Sequence, residues 1–300
     1  MTPIDTAWLK RHPLPSHDDD TDKNARGRVL VAGGAHFVPG ALRLTGEAAL
    51  RVGAGKLQMA TVAEAALPLG VLVPEAAMIA VPGDADGEID DAAIPVIAKA
   101  LEHCDAFILG PGMSGDANSL VSALIGYPRD DLCVVLDAAA IAACDALATE
   151  VRAHQGRVIL TPHHGEMASL TGRDIAEIGA ASEQIAAEMA DRLNAIIVLK
   201  SDSTIIAAPG GHLLAYDGGG IGLATGGSGD VLAGVIGGLA ARGADPLTAA
   251  VWGVWLHGEA GRVLSRTIAP IGFLARELLG ELPALMASLD EAHGGERHRR

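Results

Sequence analysis

The chain has 300 residues, 49% of them hydrophobic, and a formal net charge of −15 at pH 7. This length supports one large domain, and no Pro/Ser-rich linker divides the chain. The acidic charge argues against a nucleic-acid interface, and no apolar run reaches the roughly 18 residues that a membrane helix needs. Because residues 1–22 are polar and contain no signal-peptide core, we expect a cytoplasmic protein that binds neither nucleic acid nor membranes.

The predicted elements are short apolar strands that alternate with longer Ala-rich helical segments. Residues 1–26 are predicted to form an N-terminal arm with a short helix near residues 7–10. Seven strands are predicted at residues 28–32, 57–62, 76–81, 106–109, 132–136, 158–160 and 196–199, followed by a hairpin at 204–208 and 212–216. Most of these strands are continuous apolar runs, which are typical of a parallel sheet covered on both faces.

Three helices are predicted after the hairpin, at residues 231–242, 246–264 and 270–279. The first contains Gly234, Gly237 and Gly238, which weaken a helix and therefore indicate that a neighbour packs closely against it. Residues 27–285 form the predicted folded domain, a doubly wound α/β sandwich, and residues 286–300 are expected to be a disordered tail. The high apolar content also favours self-association into a homo-oligomer.

Polar or glycine residues follow five of the predicted strands. In a doubly wound sheet, ligands bind beyond the carboxyl ends of the strands. The residues at these ends are Gly33-Gly34, Gly110-Pro111-Gly112, Asp137, the segment from Thr161 to Glu166, and Lys200. Five such ends on one edge of the sheet indicate a functional site.

The segment Thr225-Gly226-Gly227-Ser228-Gly229-Asp230 directly precedes a predicted helix. Main-chain amides in such a loop, aided by the helix dipole, bind a phosphate or stabilise a transferring phosphoryl group. A carboxylate is repelled by phosphate, so a role for Asp230 as the base that deprotonates an attacking hydroxyl is favoured over binding. The alternative is that Asp230 is an ordinary acidic residue at a helix start and that the glycines only turn the chain.

Two further residues are candidates for ligand contact. Lys200 ends the strand 196–199, where either a phosphate contact or a solvated strand end is consistent with the sequence, and the nearby Thr204 favours the contact. His163 follows a proline at a strand end, and we expect it to contact a ligand. Structural roles are favoured for His164, Glu166, His257 and Glu259. A zinc site has no support, because HExxH spacing is absent and the odd set of Cys104, Cys133 and Cys144 favours buried, reduced thiols.

Five segments of the chain resemble the ADP-dependent NAD(P)H-hydrate dehydratases, a carbohydrate-kinase-like family of the ribokinase-like superfamily. They are residues 27–55, Gly110-Pro111-Gly112, and residues 136–141, 160–170 and 223–243, and residues 253–261 also fit. The resemblance implies a ribokinase-like three-layer α/β/α sandwich with a mostly parallel central sheet. It also implies a repair lyase that returns (6S)-hydrated NADH or NADPH to NAD(P)H while ADP, or ATP in other members, is cleaved with Mg²⁺.

The resemblance implies a role for particular residues, although it assigns no metal ligands. The hydrated dinucleotide would be bound by Ala41, Gly112, His163 and Asp230. The adenine nucleotide would be bound by Lys200, Ser201, Asp202, Ser203, Thr204 and Gly229. Asp230 would take the proton from the ring hydroxyl as it attacks the terminal phosphate of ADP, and amides around the catalytic Gly227 and Gly229, with Mg²⁺, would stabilise the charge.

The chain departs from the family pattern at Ala139, where an aspartate is common, so that Asp137 would serve alone. Many relatives carry an N-terminal epimerase domain for which this chain has no room, so we expect a separate NAD(P)H-hydrate epimerase in the same pathway. One alternative is a small-molecule kinase of the same fold that acts on a hydroxymethylpyrimidine, a thiazole or a sugar alcohol. The other is a nucleotide-binding regulator without catalytic activity.

Overall fold

The computed structural model describes residues 1–16, 22–127 and 129–294. Its centre is a ten-stranded sheet. The strands are β1 Thr2–Pro3, β2 Arg28–Ala32, β3 Lys56–Val62, β4 Ala76–Val81, β5 Ala106–Leu109, β6 Cys133–Leu136, β7 Val158–Leu160, β8 Ile196–Leu199, β9 Ser203–Ala208 and β10 His212–Asp217. All of the predicted strands are therefore present, with bounds within one residue of those predicted.

The sheet is mostly parallel, as predicted. Its order is β1-β10-β9-β8-β7-β6-β5-β2-β3-β4, and neighbouring strands are parallel from β8 across to β4. Strand β9 is antiparallel to β8 and β10, and β1 is parallel to β10. The chain runs outward from β2 to β4 and then returns to β5 on the other side of β2, so the strand order reverses between β2 and β5. Ligands bind in such sheets at this reversal.

Helices cover both faces of the sheet. They are α1 Thr6–Arg11, α2 Gly40–Arg51, α3 Ala63–Leu72, α4 Ile94–Leu101, α5 Asn118–Ile125, α6 Ala139–Ala142, α7 Ala148–Ala153, α8 His164–Thr171, α9 Ile175–Ala180, α10 Ser182–Leu193, α11 Ser228–Ala241, α12 Pro246–Thr267 and α13 Ala275–Gly294. One layer contains α2, α11, α12 and α13, which contact one another, and another contains α4, α5, α7 and α10. Strands β5 to β8 between these layers are buried along their whole length.

The glycines of α11 allow this helix to lie against its neighbours, as predicted. A β-carbon at Gly234 would overlap the main-chain oxygen of Thr45 in α2, and one at Gly238 would lie 2.7 Å from Ala49 in the same helix. A β-carbon at Gly237 would lie 2.5 Å from the Cδ1 atom of Ile108 in β5. This packing fixes the start of α11 above the carboxyl ends of the central strands.

The described parts of both terminal segments contain structure that the sequence did not predict. Strand β1, which was not predicted, extends the sheet, and Trp8 of α1 is buried. The predicted start of the tail at residue 286 falls inside α13, because this helix continues to Gly294 and its Leu289 is buried in the core. Residues 295–300 of the predicted tail lie outside the described residues. The third predicted helix begins at Ala275 instead of residue 270.

The three cysteines are free and buried, as predicted. Burial raises the pKa of each thiol to about 12, so these side chains are neutral. In the part of the chain that the structure describes, every helix is too short or too polar to cross a membrane.

Candidate functional site

Three polar side chains meet beyond the carboxyl ends of β6, β7 and β8. The ammonium group of Lys200 donates a 3.0 Å hydrogen bond to Oδ1 of Asp137, and the hydroxyl of Thr161 donates one of 2.6 Å to the same oxygen. Asp137 is only 3% exposed. A buried carboxylate needs such partners, because an unpaired buried charge is very costly. The predicted clustering of strand-end residues is therefore confirmed for these strands.

Glu166 is a second carboxylate beside Lys200, at 3.7 Å from its Nζ atom. It also belongs to a capping box at the start of α8, where its Oε2 atom accepts from the amide of His163 at 2.8 Å and its own amide donates to Nδ1 of His163 at 3.1 Å. The favoured structural role of Glu166 is thus present, but the sequence interpretation missed its place beside Lys200. The isolated bridge between His163 and Lys200 brings the two segments together.

The glycine loop and the start of α11 lie against Lys200. Gly227 is the N-cap with φ +91°, and a β-carbon there would lie 2.5 Å from the Cδ1 atom of Leu44, so both the backbone and the space require glycine. A β-carbon at Gly229 would lie 3.4 Å from Nζ of Lys200. Asp230 occupies the first turn of α11, as predicted. The amides at this helix start, the ammonium group and the Asp230 carboxylate are therefore neighbours.

His257 holds the first residue of this helix. Its Nε2 atom lies 2.9 Å from the hydroxyl and 3.0 Å from the main-chain oxygen of Ser228. Burial lowers the pKa of His257 to about 4, so the imidazole is neutral. A neutral side chain that fastens the helix start fits the structural role expected for His257.

Burial and the charges of this cluster together set the pKa of Asp230. Burial, followed by the nearby Asp137 carboxylate, raises the pKa of Asp230 to about 7, against the opposing effect of Lys200. Although burial alone lowers the pKa of Lys200, its pairing with Asp137 and Glu166 outweighs this and raises it. Asp230 can therefore take up a proton near neutral pH, as a general base must, while Lys200 stays charged.

A second part of the site lies at the strand reversal between β2 and β5. The amide of Gly34 donates to the oxygen of Pro111 at 2.8 Å, and that of Ala35 to the oxygen of Gly112 at 3.2 Å. Gly112 has φ +73°, and a β-carbon there would lie 2.9 Å from the Cβ atom of Ala41. Ala41 and Gly112 are therefore adjacent, although Ala41 is only 2% exposed.

The two parts of the site are continuous. A β-carbon at Gly110, which follows β5, would overlap the main-chain oxygen of Asp137 at the end of β6. A cavity of about 230 Å³ lies beside them, lined by Met113, Ser114, Ala138, Ala139, Ala142, Glu166 and Ser169. Ala139 thus faces this space. The preceding Ala138 has φ +48°, an uncommon conformation for alanine at the edge of the site.

Of the residues predicted to bind the adenine nucleotide, Lys200 to Thr204 lie between the end of β8 and the start of β9, whereas Gly229 lies in α11. Ser201 and Asp202 are exposed between the strands, and the hydroxyl of Ser201 donates to the main-chain oxygen of Ser203 at 2.7 Å. Ser203 and Thr204 are the first residues of β9 and are partly buried. The turn thus follows directly on Lys200, and its contact with a nucleotide stays a prediction.

The comparisons with known proteins show the family. A family model described as NAD(P)H-hydrate dehydratase matches residues 29–284. The chain is 43% identical to an ADP-dependent (S)-NAD(P)H-hydrate dehydratase of Xanthomonas campestris, over 95% of this chain and 96% of the relative. It is 36% identical to a bifunctional NAD(P)H-hydrate repair enzyme of Moorella thermoacetica, over 96% of this chain but only 54% of that longer protein.

Solved structures agree with this result. An ADP/ATP-dependent NAD(P)H-hydrate dehydratase of Bacillus subtilis, co-crystallised with ATP and Mg²⁺, matches 96% of this chain and 98% of its own at 29% identity and a TM-score of 0.79. The fold is that of the ribokinase-like superfamily, which confirms the predicted fold class. Within it, the chain belongs to the NAD(P)H-hydrate dehydratase family.

Proposed function

We propose that this protein is an ADP-dependent NAD(P)H-hydrate dehydratase that returns (6S)-hydrated NADH or NADPH to the reduced dinucleotide and cleaves ADP to AMP and phosphate. The observation that carries the proposal is the placement of Asp230 in the first turn of α11, beside Lys200 and the glycine loop. Family membership and the close similarity to dehydratases support it.

Asp230 acts as the general base of the first step. Its carboxylate, with a pKa of about 7, takes the proton from the hydroxyl on the hydrated ring. The hydroxyl oxygen forms a bond to the terminal phosphorus of ADP, and the bond from that phosphorus to the bridging oxygen breaks to release AMP. A carboxylate with a pKa near the working pH suits this task, because it is ionised before the step and holds the proton after it.

The glycine loop and Lys200 stabilise the charge of the transferring group. The free amides at the start of α11 and the helix dipole favour negative charge at this point, and Lys200 adds a full positive charge. In the second step the ring nitrogen assists the departure of phosphate from the ring carbon, and loss of a proton from the adjacent carbon restores the double bond.

The residues around Lys200 also fit Mg²⁺. Asp137, Glu166 and Asp230 place three carboxylates around one ammonium group, so the site keeps negative charge that a nucleotide phosphate must overcome. Mg²⁺ prefers oxygen ligands, keeps several waters and binds through one or two carboxylates and phosphates. Among the described residues, no group of three His, Cys, Asp or Glu side chains is preassembled around a metal position. Bound there, it would neutralise charge on the phosphates.

Several parts of the proposal rest on the family alone. ADP as the donor follows the names of similar proteins, although the relative from Bacillus subtilis is named for both ADP and ATP. A separate NAD(P)H-hydrate epimerase would supply the substrate epimer, and the existence of bifunctional relatives supports this link. A homo-oligomer in the cytoplasm stays a prediction.

Absorbance at 340 nm tests the proposal, because the dehydrated product absorbs there. Purified protein is mixed with hydrated NADH, Mg²⁺ and either ADP or ATP, and inorganic phosphate is measured in parallel. We expect a nucleotide-dependent rise with one phosphate released for each NADH formed. A phosphorylated small molecule as the final product, without a rise at 340 nm, would instead identify a kinase of the same fold.

A further inference from the structure

Phe37 is an aromatic residue that the fold leaves in solvent. Its side chain is 89% exposed, although the chain has only three phenylalanines. It lies in the loop between β2 and α2, at the carboxyl ends of the strands. Exposure of a phenylalanine gives up the favourable burial of a large apolar surface, so its place in this loop needs an explanation.

The loop that carries Phe37 is firmly attached on both sides of this residue. The amide of His36 donates to the oxygen of Gly87 at 3.0 Å, and the amide of Val38 donates to the oxygen of Ala35 at 3.2 Å. The loop is also bound to the Pro111–Gly112 segment, as described above. The exposure of Phe37 is thus set by a hydrogen-bonded backbone.

Phe37 lies at the strand reversal, the place where ligands bind in sheets of this kind. The residues of this loop and of the start of α2 differ in exposure. Ala41 is 2% exposed, whereas Val38 is 41% exposed and Phe37 is almost fully exposed. A molecule that lies against Gly112 therefore reaches these two side chains sooner than that of Ala41. An aromatic ring at this position offers a flat apolar face, which suits a planar ring on the ligand.

The order of the strands indicates which adenine ring lies near Phe37, that of ADP or that of the hydrated dinucleotide. Strand β2 lies four strands from β8, or ~19 Å at the usual spacing of ~4.8 Å, so a nucleotide held at Lys200 and the β8–β9 turn keeps its base away from Phe37. The hydrated nicotinamide ring must lie next to Asp230, at the start of α11. The remaining planar ring is the adenine at the other end of the hydrated dinucleotide.

We infer that Phe37 stacks on the adenine ring of the hydrated dinucleotide and so binds the half of the substrate that does not react. The inference rests on the proposed function. It makes Phe37 a residue that discriminates a dinucleotide from a mononucleotide. Since a base stacked on an aromatic side chain contributes roughly 1–3 kcal/mol, loss of the ring should lower kcat/KM by about tenfold or more.

The test compares hydrated NADH with hydrated reduced nicotinamide mononucleotide, which has the same reacting ring but no adenine. Phe37→Ala should lose about tenfold in kcat/KM on hydrated NADH and nothing on the mononucleotide, with the KM for ADP unchanged. Phe37→Trp should restore the preference for the dinucleotide. The matched control is Tyr127→Ala, which also removes an exposed aromatic ring. Tyr127 precedes β6 and therefore lies at the amino ends of the strands, away from the site.

Other outcomes separate this inference from the proposed function. Equal losses of Phe37→Ala on both substrates, or no loss on either, would overturn the stacking role while the wild type still turns over. A raised KM for ADP alone would place the ring at the other nucleotide. Failure of the wild type to turn over hydrated NADH would overturn the proposed function itself, and the stacking role with it.

Discussion

Gly227→Ala tests whether the glycine loop needs its observed backbone. The residue has φ +91°, where an L-amino acid costs ~1–2 kcal/mol. The new methyl group would also lie 2.5 Å from Cδ1 of Leu44 and 3.2 Å from Cβ of Ala275. Because the side chain of Leu44 can change its rotamer, the clash adds only roughly 1 kcal/mol to this cost.

The sum of ~2–3 kcal/mol corresponds to a small but measurable shift of Tm. With ~2.1 cal/mol/K of unfolding entropy per residue, a chain of this length loses about 3–5 °C. The matched control is Gly226→Ala, because a β-carbon at that glycine meets no atom within 4 Å and the backbone needs no positive φ. We expect the control to change Tm by less than about 1 °C.

A double-mutant cycle with Leu44→Ala separates the two causes. Removal of the leucine end should remove the clash, so the double variant should be more stable than the two single losses predict. Scanning calorimetry of the four proteins measures these values. If Gly227→Ala melts within 1 °C of Gly226→Ala, the conformation assigned to the loop is wrong.

Three further predictions concern the charged cluster. Asp230 must be ionised to act, and its pKa is about 7. The value of kcat/KM should therefore rise with pH through about pH 7 and level off above it. A flat profile over this range would refute the role of Asp230 as the general base. The raised pKa also means that Asp230 of the folded protein keeps its proton up to about pH 7, whereas the unfolded chain releases it near pH 3.8. The wild type should therefore lose up to ~4 kcal/mol of stability relative to Asp230→Asn between about pH 4 and pH 8. Urea unfolding of both proteins at the two pH values measures this loss. Lys200→Met should raise the KM for ADP by roughly 10–100-fold and lower stability by ~3–5 kcal/mol, because Asp137 loses its positively charged partner. The exposed Lys99→Met should change neither measurably.

Much of the fold could be predicted from the sequence because the central strands are continuous apolar runs. These strands are buried between two helical layers, and burial on both faces requires the continuous apolar runs that are visible in the sequence. Strand β1 could not be found in this way, because two residues, Thr2–Pro3, carry no periodic pattern and are ordered only by pairing with β10. The extension of α13 was missed because its sequence is mostly polar, and in its described part Met286 and Leu289 pack against the core.

The site was predicted in part for a similar reason. Strand ends that carry Asp137 and Lys200 are visible in the sequence, and the parallel order of their strands brings them together. Glu166 was assigned a structural role because a helix start explains a glutamate at that position. Its second role follows from the bridge between His163 and Lys200, a tertiary contact that no local pattern indicates. The exposure of Phe37 likewise became visible only in the structure.

The substitution Asp230→Asn tests the central claim most directly. The amide keeps the size and position of the side chain but cannot take a proton, so turnover measured at 340 nm with hydrated NADH and ADP should fall by roughly 10²–10⁴-fold. Calorimetric titration with ADP and Mg²⁺ should show that nucleotide binding is retained, since the loop and Lys200 are unchanged. A variant that binds the nucleotide and still turns over at the wild-type rate would contradict the assignment of Asp230 as the base.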